Sequence, residues 1–487
     1  MTSPDPLGLP FVAGDSTYDA VVVIPGIMGS RLVDVDTGRT LWGMEQALQY
    51  SMRWRHRRGM AGLHVTDDER AGHTGRIRPQ GLLQFPAWAP FMGGIEPYTK
   101  LVKELRNTAV HPMAILEFAY DWRLSVEHNA GLLAKAADDH LRAWRAHPAH
   151  DRARRADPTG REGQLVLVAH SMGGLLCWAM ARIPGATAEV RATITIGAPF
   201  HGSVQATEVL NSGRGAPVPL PHRHLRALAS TLPGLHDLLP TYRCMDIGDH
   251  LVSLTAEDVA ALGGDEELAR DSFDRRAHLA AVSMRGHRLM VGTGQQTTQS
   301  LKLADGVAVP QHFRLRHHRD GELIRDAIGR PIPHILGGDG TVYRYAGAFR
   351  DIKEDAVAQQ HGALPRCKGV IDAVCGVLTH APDLQTVLGG GGLGLVVPDY
   401  VPAGEPFDVI TTGVSDPARV TCKIENAGEH DDQMARPELR VSDEGDERLA
   451  VRVTLTTPGL YRVLVSAGAE PVTQLVLVDN PGQEGGD

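Results

Sequence analysis

Cysteine is scarce: five residues in 487, at Cys177, Cys244, Cys367, Cys375 and Cys422. An odd number with no CxxC pair and no zinc-ligand spacing argues against a disulfide-stapled scaffold or a cysteine zinc module. A reducing, cytoplasmic setting is therefore expected. Basic charge is also short. Lys and Arg total 49 against 58 Asp and Glu, a net charge of -9, so the chain lacks the footprint that phosphate-backbone binding needs and no nucleic-acid partner is expected. No uninterrupted apolar run reaches the roughly 18 residues that a membrane-crossing helix requires. Met1–Thr17 has no basic segment leading into an apolar one, so a secretory signal is not expected. Contact with lipid, if made, would be peripheral.

Apolar residues, by contrast, are plentiful at 42%, and a chain of this length is expected to form two to four compact units at about 100–200 residues each. Five near-continuous apolar runs read as strands buried on both faces: Ala20–Ile24, Ile115–Phe118, Leu165–Val168, Thr193–Ile196 and Arg288–Val291. Apolar residues at three- and four-residue spacing over Pro97–Leu105, Asn129–Trp144, Leu175–Arg182 and Val370–Leu378 predict helices between and after them. Alternation of this kind predicts an α/β fold with a parallel sheet. The section from about 204 to 330 loses the rhythm and reads as a cap inserted over a site, so residues 1–388 form the first predicted domain. A glycine-rich linker, 389–395, then leads to residues 396–487. There the helical pattern gives way to alternating strands at Phe407–Thr411, Leu449–Leu455, Tyr461–Val465 and Val472–Val478, which predict a small antiparallel, immunoglobulin-like sandwich. Residues 399–487 hold 17 acidic against 7 basic side chains, so the acidity of the protein is concentrated in this domain.

The sharpest local signal is the run Leu165-Val-Leu-Val-Ala-His-Ser-Met-Gly-Gly174, a buried strand entering a small-residue turn with Ser171 at its apex. A serine held proud of a sheet by such a turn is a candidate nucleophile, and the strained turn tolerates only small neighbours two positions away, here Ala169 and Gly173. The Met172 amide at the following helix start would face a developing oxyanion, and Ile27, in Pro25-Gly-Ile-Met-Gly-Ser30, would supply a second donor. Asp339, in Gly337-Gly-Asp-Gly-Thr-Val342, is the candidate orienting acid. The base should follow it in the chain, and His361 and His380 compete, with His361 better placed on a loop between a strand and the last helix. The remaining histidines, including His170, His201, His222, His224, His317 and His318, are expected on the solvated surface. His222 and His224 lack companion ligands, and neither a metal nor a cofactor is expected.

Taken together, Pro25–Ser30, Tyr120-Asp-Trp-Arg123, Ala169–Gly174, Gly197-Ala-Pro-Phe-His-Gly-Ser203, Leu235-His-Asp-Leu-Leu-Pro240 and Gly338–Val342 resemble the lecithin:cholesterol acyltransferase-like α/β-hydrolases, over about residues 19–378. The resemblance implies an α/β-hydrolase fold acting on lipid or other esters, with Ser171 as nucleophile, Asp339 as acid, His361 as base, and Ile27 and Met172 as oxyanion donors. It does not reach the sandwich, for which partner binding, substrate presentation or stabilisation are the expectations and no protein partner is identified. A non-catalytic interaction protein built on the same scaffold is the competing expectation. Tyr120–Arg123 is expected to brace loops rather than react. Ser51-Met-Arg-Trp-Arg-His-Arg-Arg-Gly-Met60 mixes aromatic, thioether and basic side chains in a way that suits either an anionic lipid surface or a solvated loop.

Overall fold

A computed structural model describes residues 16–480 except 47, 56–58, 90–92, 212–221, 305–306, 351, 381–391, 429–432, 442–447 and 469. Six strands form the central sheet: β1 (Ala20–Ile24), β2 (Ile115–Glu117), β3 (Leu165–His170), β4 (Val190–Ile196), β5 (His287–Thr293) and β6 (Glu354–Ala358). Their order is β6-β5-β4-β3-β1-β2, with every pair parallel. Every residue of β1 and β3 is buried, as apolar strands covered on both faces must be. Register places Val21 opposite both Val166 and Ile115, and Leu167 opposite Thr193. The sixth strand, β6, is short, half-buried and opens with two acids, so little in its composition marks it as a strand.

Four helices cover this sheet or position its loops: α1 (Thr99–Thr108), α2 (Val126–Arg145), α3 (Met172–Met180) and α4 (Lys368–Leu378). Helix α2 starts where the Ser125 hydroxyl accepts from the His128 amide, and it buries Val126, Ala130, Leu133, Ala137, Leu141 and Trp144 on one stripe. Helix α3 is buried all round and is apolar on every face.

The predicted cap is not one insertion. Strand β5 passes through it, because Leu289–Val291 is an apolar run buried in the sheet. Before β5 come helices such as Val204–Asn211, Ala256–Leu262 and Glu266–Leu279. A four-stranded sheet gathers Met245–Asp246 and Leu251–Val252 from that side with Ser300–Ala304 and Val307–Gln311 from the other.

Beyond the central sheet, two further sheets of four and five strands face each other around their own apolar core, which includes Val409, Ile424, Leu449, Val463 and Val476. The first of these strands is Gly394–Val396, so residues 394 and 395 belong to the sandwich rather than to a linker. One pair departs from the antiparallel expectation: Tyr400–Pro402 runs parallel to Val472–Asp479. Strand Val472–Asp479 is buried on both faces. Val472, Val476 and Val478 fill the sandwich core, whereas Leu475 and Leu477 join the large core of the α/β region.

That docking is polar as well. Arg462 and Arg366 both pair with buried Glu96, at 2.6 and 2.9 Å, and Trp88 Nε1 donates to the Asp399 carbonyl at 2.9 Å. Ser51, Arg53 and Trp54 are drawn into the same packing, and the lipid-surface reading of the aromatic residue fails. Trp54 is 3% exposed, in the core with Leu41 and Trp42, Arg53 donates to the carbonyls of Thr40 and Leu41, and the Ser51 hydroxyl bonds to Asp479. Arg57 lies outside the described residues. Among the described residues no helix is long and apolar enough to cross a membrane.

Candidate active site

Strand β3 delivers Ser171 at the carboxyl edge of the sheet, and α3 starts one residue later. Ser171 has φ 52° and ψ -126°, a conformation that L-residues rarely adopt and that lifts the side chain clear of the sheet. Crowding explains the small neighbours. A Cβ on Gly173 would lie 2.7 Å from the Pro25 carbonyl oxygen, and one on Gly26 would lie 2.8 Å from the Ser171 Cβ.

Strand β5 leads toward Asp339 and β6 toward His361. The Ser171 Oγ lies 2.8 Å from His361 Nε2, and His361 Nδ1 lies 2.7 Å from Asp339 Oδ2. Asp339 is 1% exposed at its side chain; its second oxygen accepts from the amides of Thr341 and Val342 at 3.0 and 2.6 Å. With the carboxylate ionised, His361 Nδ1 carries the proton and donates, which leaves Nε2 free to accept from the serine hydroxyl. His380 is elsewhere, exposed beyond the end of α4 and 3.4 Å from Arg161.

The loop after β1 runs past the serine. Neither the Ile27 nor the Met172 amide donates to another described residue, so both are available to an oxyanion. Tyr120–Arg123 braces this loop. The Tyr120 hydroxyl donates to the Pro25 carbonyl, Trp122 Nε1 donates to the Ser30 carbonyl, and fully buried Arg123 is clamped by Asp121 and Glu69 at 2.6 and 2.7 Å.

Two residues that sequence reasoning did not assign to the site tie its parts together. His170, expected on the surface, is buried at 4% exposure. The Tyr98 hydroxyl accepts from the Gly26 amide at 2.9 Å and lies 2.8 Å from His170 Nδ1, while His170 Nε2 lies 3.1 Å from the His361 carbonyl. Since the hydroxyl proton has only His170 Nδ1 to serve, Nε2 carries the imidazole proton and donates to His361. Burial, with His361 adjacent, pushes the His170 pKa well below its ordinary value and keeps it neutral. One hydrogen-bonded path thus joins the oxyanion loop, the nucleophile turn and the base loop. Its only trace in the sequence is the position of His170 beside the nucleophile; nothing marks Tyr98.

Beside His361 opens a cleft of about 280 Å³, whose lining includes Gly93, Glu96, His312 and Gln360, and, from the sandwich, Asp399, Thr473 and Gln474. Among the described residues no three His, Cys, Asp or Glu side chains gather as metal ligands, and all five cysteines are free.

Residues 85–274 match the family model described as lecithin:cholesterol acyltransferase. No curated protein matches the chain. Among solved structures, a chain of the Tle4–Tli4 complex is similar at 16% identity and TM-score 0.45, covering 74% of this chain and 99% of its own. The mature lipase BlEst2 of Bacillus licheniformis is similar at 13% identity and TM-score 0.32, covering 77% and 96%. Likenesses this distant add nothing to the sheet order and nucleophile turn described above. The sheet order and the strained serine turn give the chain an α/β-hydrolase fold, and its residues 85–274 are similar to the lecithin:cholesterol acyltransferase family.

Proposed function

We propose that the protein is a serine-dependent acyl-ester hydrolase or O-acyltransferase acting on lipid esters. The observation that carries this reading is the hydrogen-bonded line Ser171–His361–Asp339, with the serine in a strained turn. His361 Nε2 takes the serine proton as Oγ attacks the ester carbonyl, and Asp339 stabilises the imidazolium that forms. The amides of Ile27 and Met172 hold the tetrahedral oxyanion, and collapse of that intermediate expels the alcohol, which leaves with the proton from His361. Water or an acceptor alcohol then resolves the acyl-enzyme by the same steps reversed. Lipid is the favoured substrate because the family match covers the region around the nucleophile. The family name implies acyl transfer, while the chemistry of the triad serves both outcomes.

The test is incubation of the protein with mixed phospholipids and neutral glycerides, with and without an alcohol acceptor, scored by mass spectrometry beside Ser171→Ala. Turnover is expected to fall by about a thousandfold or more in the variant. Free fatty acid alone identifies a hydrolase and new ester a transferase. Equal product from both proteins, together with no fluorophosphonate labelling of Ser171, rejects the reading in favour of a non-catalytic scaffold.

A further inference from the structure

The cleft beside His361 contains that histidine in its lining but not Ser171. In an ester-cleaving triad the imidazole returns its proton to the departing alcohol oxygen, so a cleft reached past the base receives the alcohol side of the ester rather than the acyl chain. Its walls suit that side, for polar groups from four regions meet there: Gln205 from the helix after β4, Gln296 and His312 from the segments after β5, Gln360 from the base loop, and Asp399, Thr473 and Gln474 from the sandwich.

Two of the sandwich groups keep hydrogen-bonding capacity that the described residues do not use up. The Thr473 side chain is buried at 7% exposure, and its hydroxyl bonds to no described residue, although its backbone amide donates to Gln359 Oε1 at 2.8 Å. A buried hydroxyl without a partner is costly unless a ligand satisfies it. The Asp399 carboxyl accepts from Gln474 Nε2 at 3.1 Å and pairs with no described cation, and burial pushes it up to about 6. Glu96, the other acid in the lining, is by contrast occupied by Arg462 and Arg366. Gln474 is also tied to the triad loop, since its Oε1 lies 3.2 Å from Gln360 Nε2, one residue before His361.

We infer that the C-terminal sandwich supplies one wall of a binding subsite for the alcohol portion of the ester, and that Thr473 and Asp399 select alcohols bearing hydrogen-bonding groups, such as a glycerol moiety, over plain alkyl alcohols. This inference rests on the proposed esterase chemistry and gives the sandwich a part in substrate choice.

Its test uses the full chain and two esters with one acyl group and different alcohols, 1-butyrylglycerol and ethyl butyrate. The measured quantity is the ratio of kcat/KM for the glyceryl over the ethyl ester. Thr473→Val, nearly isosteric, is expected to lower the ratio about tenfold, as loss of one buried hydrogen bond to substrate would. Thr473→Ser, which keeps the hydroxyl, restores it. Asp399→Asn, which replaces one acceptor oxygen with a donor, lowers the same ratio at least about threefold. A ratio within about twofold of the wild type in both Thr473→Val and Asp399→Asn overturns the subsite while leaving the esterase reading intact. Absence of Ser171-dependent turnover in the wild type removes the esterase reading itself and the subsite with it.

Discussion

Tyr98 Oη does two jobs with one proton: it accepts from the Gly26 amide and donates to His170. Tyr98→Phe strands both groups in a fully buried place, at about 1–3 kcal/mol for an unsatisfied buried partner. Because Gly26 precedes the Ile27 amide, and His170 bonds to the backbone of His361, the loss reaches chemistry as well as stability. The expected result is a drop of about 2 kcal/mol in urea unfolding and a fall in kcat of about tenfold with little change in KM, since the oxyanion is held only in the transition state. An unchanged kcat beside a lowered stability would show the path to be structural alone.

At the scale of strands and turns, Gly292 on β5 shows why the acid sits where it does. A Cβ there would lie 2.3 Å from the Asp339 Cβ and 3.1 Å from the Gln359 carbonyl. Gly292→Ala is expected to displace Asp339 and lower kcat/KM about a hundredfold, because triad geometry tolerates little misplacement. It should also destabilise the fold by about 1–3 kcal/mol through overpacking, read by thermal unfolding. The elements that carry these residues differ in how far the sequence announced them. Strands β1 and β3 were legible because burial on both faces demands uninterrupted apolar runs, β2, β4 and β5 from shorter apolar stretches, and Ser171 because strand, small-residue turn and helix are contiguous. Edge strand β6 was faint, since Glu354 and Asp355 begin it. Trp54 and His170 misled for a shared reason: neighbours in sequence, basic for one and catalytic for the other, say little about which way a side chain packs. The approach of Gln474 to Gln360, 114 positions away, left no local pattern at all.

Over the whole molecule, stability is tied to pH through the clamp on Arg123. Burial alone would raise the Glu69 carboxyl, but hydrogen bonds from Arg123, the Thr66 amide and Arg76 outweigh it and hold the pKa down at about 2. A carboxylate depressed in the folded state stabilises fully above its unfolded value of about 4.3 and loses that contribution as pH falls toward 2. Between pH 5 and pH 3 the wild type is therefore expected to lose about 1–2 kcal/mol more than Glu69→Gln, measured by urea midpoints at the two values. Equal losses would assign the acid sensitivity to other carboxylates.

The sandwich also has a place in time. Glu470 accepts from the Lys368 and Gly369 amides at the start of α4, and Gln474 bonds to Gln360, so the chain bracing the base loop is made about a hundred residues after that loop. Translation delivers residues at about 5–20 per second and domains fold as they emerge. A ribosome-bound chain that has already passed His361 thus waits several seconds for the residues that brace this loop. A nascent chain stalled among these strands carries the His361 loop without its brace.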